Sequence, residues 1–456
     1  MDSKLSFKSY AVVGMMLFAL FFGAGNLIFP AQLGQYAGTN VWIAIFGFLI
    51  TGVGLPLIGI LAIGYSKSDD LQDLSSRVHP VYGLIFTAVL YLTIGPFFAL
   101  PRTGAVSYEV GVAPFIGAGN ATIGLLVFSL FFFGVSLVVS LNPTKIVDSI
   151  GKILSPAILV TLSVLLVAAF VKPMGGQKVP EPAYASGAFF TGFTEGYNTM
   201  DALASLVFGI IVISAVRKLG VNSPKGVLTA TLKSGVVAAA LLAIVYTGIA
   251  YLGSTSTGAL GLLETGGPVL SGASEYYFGT FGAALLAVII ILACLTTAIG
   301  LTVANAEFFH KLMPKISYKT YVVIFSVFSL VVTNAGLANI ITYSIPVLMF
   351  LYPLAIVLII LAFLSPLFRH AQLVYVSAII VTFFISIIDG MKALTSSLGA
   401  ENPGWLQSII DFYAETLPLY SNGLGWLLPA LIVIAITTII ARSKKNVKVQ
   451  TVQHNA

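Results

Sequence analysis

Charge is scarce in this sequence: Asp, Glu, Lys and Arg make up 8% of its 456 residues, while hydrophobic residues make up 58%. Soluble domains carry roughly 25% charged residues. A water-soluble globule of this length could hardly cover so much apolar surface, and a chain solvated by membrane lipid has no need to. Cysteine is nearly absent, and the lone Cys294 excludes an internal disulfide framework. In its apolar run it reads as a small packing residue. Histidine is rare too: His79, His310, His370 and His454 all fall away from the centres of the apolar runs. With no metal-ligand spacing, nucleophile motif or phosphate loop, an intramembrane enzyme has no catalytic set to work with. The net charge of +6 is dispersed between apolar runs rather than gathered in a stripe, which argues against nucleic acid as a partner. Repeated filter loops and rings of like charge are missing, which argues against a channel. No soluble domain is present to act as a receptor, and no obligate protein partner is evident.

What the sequence has in abundance is long apolar runs. Crossing roughly 30 Å of hydrocarbon takes ~20 residues of helix, and twelve runs qualify. Their cores are 10–36, 41–65, 81–100, 123–141, 150–171 and 188–216, then 227–252, 279–306, 318–333, 337–364, 373–391 and 424–441. The ninth is short and ends at Asn334-Ala335-Gly336, so its border with the tenth is the least marked. With both termini cytoplasmic, every basic residue falls inside except Arg102, Lys172, Lys178 and Lys392. That asymmetry is what the positive-inside rule requires, and miscounting one span would scramble it. Lys4 and Lys8 before a short apolar stretch superficially resemble a signal peptide. Apolar sequence resumes at once with Leu27-Ile28-Phe29, and the twelve-span topology needs this segment. The tail 442–456 is expected to be a short, polar cytoplasmic extension.

Two spans are interrupted at their centres. The first run contains Phe22-Gly23-Ala24-Gly25-Asn26-Leu27, and the sixth contains Glu195-Gly196-Tyr197-Asn198-Thr199-Met200-Asp201. Unwound backbone at membrane depth survives only where it is buried in protein or lines a cavity. Two such breaks in matching halves of a polytopic chain point to a transporter's substrate site. The breaks lie five spans apart, and five is odd, so the second repeat must enter from the opposite side. The expected fold is an all-α polytopic membrane protein: twelve transmembrane helices, with a five-plus-five inverted repeat in which helices one and six are broken, plus two extra helices. The corresponding segments are 1–9 (cytoplasmic), 10–171 and 172–364 (the two repeats), 365–441 (helices eleven and twelve) and 442–456 (tail).

The first break suits anion capture. Gly23 and Gly25 carry no Cβ, so a ligand can approach the backbone closely. Unwinding exposes the N–H groups that begin the outer half-helix, where the helix dipole also favours negative charge. A carboxylate can be held there by Gly23, Ala24, Gly25 and Asn26 without a basic side chain. At the second break, carbonyls freed around Gly196, Tyr197, Asn198 and Thr199 can accept an ammonium group. The pair fits a zwitterionic amino acid, whose side chain would face Phe22, Tyr197 and Met200. The alternative is that these glycines merely permit close helix packing.

The same residues carry a family resemblance. Gly23-Ala24-Gly25-Asn26-Leu27-Ile28-Phe29-Pro30 resembles the first helix of the bacterial branched-chain amino acid:cation symporters, and Glu195 to Leu203 resembles their sixth. Gly95-Pro96-Phe97-Phe98-Ala99-Leu100-Pro101-Arg102 agrees with their third, so the likeness runs through essentially the whole chain. It implies the five-plus-five fold of the amino acid–polyamine–organocation transporters and uptake of leucine, isoleucine and valine by alternating access. It also implies a carboxylate site at Gly23, Ala24 and Gly25. In sodium-coupled proteins of that fold the ion lies between helix-one carbonyls, here Ala19 and Phe22, and two adjacent hydroxyls on helix eight, here Thr296 and Thr297. Hard cations take such oxygen ligands, although membrane threonines often bond back to their own helix. Some proton-coupled relatives instead use a helix-five lysine, which would be Lys152. Glu195 and Asp201, which flank the second break, are the other groups placed for proton coupling. Glu307, Asp148 and Asp389 lie near span ends, where pairing or snorkelling accounts for them, and Asp148 with Lys152 has the spacing of a helix-surface pair. No cofactor is expected beyond a co-transported Na+ or H+.

Overall fold

The computed structural model describes residues 5–116, 118–142 and 146–443. These residues fold into helices and connecting turns, and none of them forms a strand. Each of the twelve expected apolar runs is helical. The first span consists of Phe7–Phe21 and Ala24–Ala37, and the sixth of Pro182–Glu195 and Asp201–Lys218 joined by the 3-10 turn Gly196–Thr199. Among the described residues, seven helical stretches are long and apolar enough to cross a membrane, including Ala24–Ser66, which carries the second half of span one directly into span two. Shorter apolar helices supply Phe7–Phe21, Pro156–Val171, Tyr318–Thr333 and Leu427–Ser443. The sixth span falls in neither group: its first half is short, Pro182–Glu195, and its second, Asp201–Lys218, carries Asp201, Arg217 and Lys218.

Two boundaries differ from the sequence reading. The third span was expected to end at residue 100, with Arg102 outside the membrane. Instead Pro80–Leu92 passes through a π-turn at Thr93–Phe97, where Gly95 leaves the helical region, and continues as Ala99–Gly111. Arg102 is therefore buried inside the bundle, 2% exposed. Hydropathy falls after Leu100 because Arg102, Thr103 and Ser107 are polar, yet all three face protein and not solvent. The eighth span runs from Gly266 to Leu312, with a kink at Gly279 (φ 63°, ψ −166°) where the sequence reading began it. A short helix not anticipated, Gly404–Thr416, precedes span twelve and buries only Leu406 and Ile410.

The packing repeats with a period of five spans. Span one packs on seven, and six packs on two; five packs on eight, and ten on three; five packs on seven, and ten on two. The pairings three with eight and four with nine map onto themselves. An odd number of spans per repeat makes the two repeats antiparallel, as expected. Glycines form the tightest seams. A Cβ on Gly192 of span six would fall on the Ala44 carbonyl of span two, and one on Gly253 of span seven on the Ala31 carbonyl of span one. Such backbone contact is the small-residue packing of membrane helices, where close approach replaces the hydrophobic effect. Gly192→Val is accordingly expected to prevent folding, read as loss of the monodisperse peak when the protein is extracted in detergent.

Candidate transport site

The first break is narrow. Helical bonding ends with Phe22 N–H donating to the Phe18 carbonyl (2.7 Å), and the next half-helix begins at Ala24. Gly23 N–H, which an unbroken helix would give to the Ala19 carbonyl, donates instead to Asn26 Oδ1 at 2.9 Å. The Ala19 carbonyl loses that donor, and the N–H groups of Ala24, Gly25 and Asn26 start a helix with no preceding turn to receive them. At the second break Met200 holds a left-handed conformation (φ 62°), unusual for a residue with a side chain. This lets Asp201 begin a new helix.

The two breaks are joined by one carboxylate. Asp201 is 3% exposed, and its Oδ2 accepts from Asn26 Nδ2 at 2.5 Å and from the Tyr246 hydroxyl of span seven at 3.1 Å. Asn26 Nδ2 also bonds the Tyr246 oxygen. Asn26 thus holds the bend of span one with its carbonyl oxygen and reaches the head of the second half of span six with its amide nitrogen.

These elements enclose a pocket of about 480 Å³, including its open mouth. Gly23, Ala24, Gly25, Asn26, Thr199, Met200, Asp201, Arg102, Thr103 and Thr297 line its polar end. Leu20, Phe21, Ile94, Ala204, Phe208 and Leu301 line the remainder, on the side of the bundle where the chain starts. The expected substrate residues therefore divide. Gly196, Tyr197 and Asn198 do not reach the pocket. Gly196 packs so tightly on Thr51 of span two that a Cβ would strike its hydroxyl, and Tyr197 stacks on Tyr352 with centroids 4.1 Å apart. Phe22 stacks on Phe18 at 4.8 Å and does not line the pocket either. Three of the carbonyls proposed for an ammonium group already have donors of the protein's own. Thr199 Oγ1 bonds Gly196 O (3.0 Å), Met200 N bonds Tyr197 O (3.0 Å) and Arg102 Nη1 bonds Asn198 O (2.6 Å).

On span eight, Thr297 lies against the first break, with its Cγ2 and Oγ1 3.5 and 3.7 Å from where a Gly23 Cβ would stand. Thr296 is part-buried and does not line the pocket. Both hydroxyls donate to the Ala293 carbonyl, at 2.8 Å from Thr296 and 3.1 Å from Thr297. Their oxygens keep lone pairs for a cation. Glu195 accepts from Asn198 Nδ2 at 2.8 Å and stands away from the pocket. The side chains of Asp148 and Lys152 lie outside the described residues. Arg102, Tyr246 and Ser344 are among the residues that the sequence does not assign to the site, with Thr103 and the apolar lining residues. Only Arg102 gave a signal, as a cation shortly after the helix-breaking Gly95-Pro96.

The sequence model of the family described as "Branched-chain amino acid transport protein" matches residues 6–444. This chain belongs to that family. A branched-chain amino acid permease of Bacillus subtilis, BrnQ, is 47% identical over 94% of this chain and 96% of its own length. BraB of the same organism is 48% identical over 95% of each chain, and the Escherichia coli BrnQ 38% identical over 97% of this chain and 98% of its own. Among solved structures, the nucleobase–cation symporter Mhp1 in a closed conformation superposes with a TM-score of 0.60 at 14% identity, over 95% of this chain and 92% of its own. That likeness shows the fold alone. Members of the branched-chain amino acid transport family are transporters, and this chain is a multi-pass membrane transporter, not an enzyme.

Proposed function

We propose that this protein takes up leucine, isoleucine and valine by alternating access, in symport with sodium. The observation that carries the reading is the pocket at the two breaks, which has helix-start N–H groups at one end and an apolar remainder. The carboxylate is received at Ala24 and Gly25, and the ammonium group faces Asp201 and the Thr199 carbonyl. The aliphatic side chain extends toward Phe21, Phe208 and Leu301. Burying such a side chain gains about 1.5–3 kcal/mol, whereas burying a charged one without a partner costs far more. The three branched-chain amino acids are expected to compete with one another for uptake of labelled leucine into liposomes, and lysine and glutamate are expected not to. Strong competition by lysine would contradict the pocket. The branched-chain permeases of B. subtilis and E. coli lend the substrate class further support.

Sodium would bind at the first break, between the carbonyl of Ala19 and Thr297 Oγ1. The bound ion would tie span one to span eight and complete the carboxylate site, so sodium and substrate should each raise the other's affinity to the same degree. Thr297→Ala is expected to lower apparent sodium affinity by about tenfold or more, the loss of one charged contact, with Thr296→Ala much milder. Uptake driven by a pH gradient at zero sodium and untouched by Thr297→Ala would refute sodium coupling. Asp201, the expected proton-carrier candidate that lines the pocket, would then take that role.

A further inference from the structure

Arg102 is a cation with too few partners. It is buried at the centre of the bundle, and none of the described carboxylates pairs with it. The ion pair among the described residues is Lys311–Asp70 at 3.5 Å, between exposed or half-buried groups. A guanidinium has five N–H donors, and Arg102 directs two of them at neutral acceptors: Nη1 at the Asn198 carbonyl (2.6 Å) and Nη2 at Ser344 Oγ (3.1 Å). Its Nε–H is buried without any partner. Its face lies on the Phe29 ring, 4.9 Å from the centroid. Two bonds to neutral oxygens are within the capacity of a glutamine amide, which would avoid the cost of a full charge at membrane depth. A buried, lone guanidinium calls for an anion that the protein itself does not supply.

The geometry points to that anion. Arg102 lines the pocket, and its Nη1 lies 3.5 Å from where a Gly25 Cβ would stand. The guanidinium thus occupies the Gly25 side of the first break while Thr297 occupies the Gly23 side. We propose that Arg102 is a substrate-binding residue that clamps the carboxylate of the transported amino acid against the Ala24 and Gly25 N–H groups. This rests on the reading that the pocket binds an amino acid. Arg102 would then select for α-carboxylates over neutral analogues, while Asp201 faces the other end of the zwitterion. Because Arg102 also holds the Asn198 carbonyl, a bound carboxylate would bridge the two broken spans through one side chain.

The test compares leucine with leucinamide, in which a neutral amide replaces the carboxylate, by titration into the purified full-length protein in sodium buffer. Charge-assisted bonds are worth enough that Arg102→Gln is expected to weaken leucine binding roughly 10- to 100-fold. Leucinamide affinity should change little, so the preference for leucine collapses. Arg102→Lys keeps the charge but presents no planar fork, and should fall between. It also serves if the glutamine variant is not recovered folded. An unchanged preference in either variant overturns the clamp, as does wild-type protein binding leucinamide as tightly as leucine. Wild-type protein that binds neither overturns the amino acid reading itself, a separate outcome.

Discussion

Gly25→Val is expected to abolish leucine uptake in a protein that still inserts and is recovered in wild-type amounts. A Cβ at Gly25 would stand 3.3 Å from the Phe29 ring and 3.5 Å from Arg102 Nη1. Those neighbours are a ring edge and the end of a flexible side chain, so the fold can yield slightly. The two methyls beyond that Cβ, however, would fill the space where a ligand must approach the backbone. Loss of uptake of at least a hundredfold, roughly 2.7 kcal/mol, is expected in proteoliposomes under a sodium gradient. Gly192→Val sets the contrast, since its Cβ would meet backbone and no folded protein is expected. Transport at wild-type rates by the Gly25→Val protein would remove the first break from the substrate site.

The second large effect is expected from Asp201→Ala. Asp201 takes hydrogen bonds from Asn26 and Tyr246, and its removal leaves the buried Tyr246 hydroxyl without its acceptor and Asn26 Nδ2 with Tyr246 alone. An unsatisfied group costs about 1–3 kcal/mol. Asn26 also fixes the bend of span one through Gly23 N–H, so both breaks should loosen together. Uptake should be lost and the apparent melting temperature should fall, and Tyr246→Phe should reproduce a small part of the fall with some transport retained. A melting temperature equal to wild type would show that the carboxylate does not join the two breaks. Coupling between Asp201 and Asn26 can be measured by comparing both single variants with the double.

The spans and their breaks were legible in the sequence because lipid imposes one rule on every backbone group. Apolar length reports a span, and glycine with polar residues at mid-span reports a cavity. The rule fails where polar residues face inward. Arg102, Thr103 and Ser107 lower the hydropathy of span three as loop residues would, and only their burial among neighbouring helices distinguishes them. Tyr246 was beyond reach for another reason: it meets Asn26 across 220 positions of sequence, and nothing in its apolar run marks the face that looks at span one. The carbonyls of the second break could be named as freed from helix, but their own donors, Thr199, Met200 and Arg102, appear only once the turn is built. Likewise the neighbours Thr296 and Thr297 look equivalent in sequence, and helix rotation alone brings Thr297 to Gly23.

One guanidinium and one carboxylate in the same pocket have an electrical consequence. With Asp201 ionised, its formal charge and that of Arg102 cancel, as do those of a zwitterionic amino acid. The carrier would therefore return empty as a neutral body, and the net charge moved per cycle would belong entirely to the cation that accompanies the substrate. Under the coupling proposed above, an interior-negative voltage then acts on the inward, loaded step and leaves the return step untouched. Each cation carried inward gains about 2.3 kcal/mol per 100 mV, worth roughly fiftyfold in accumulation. The cell's electrical potential, and not the sodium concentration ratio alone, would set how steeply branched-chain amino acids are concentrated.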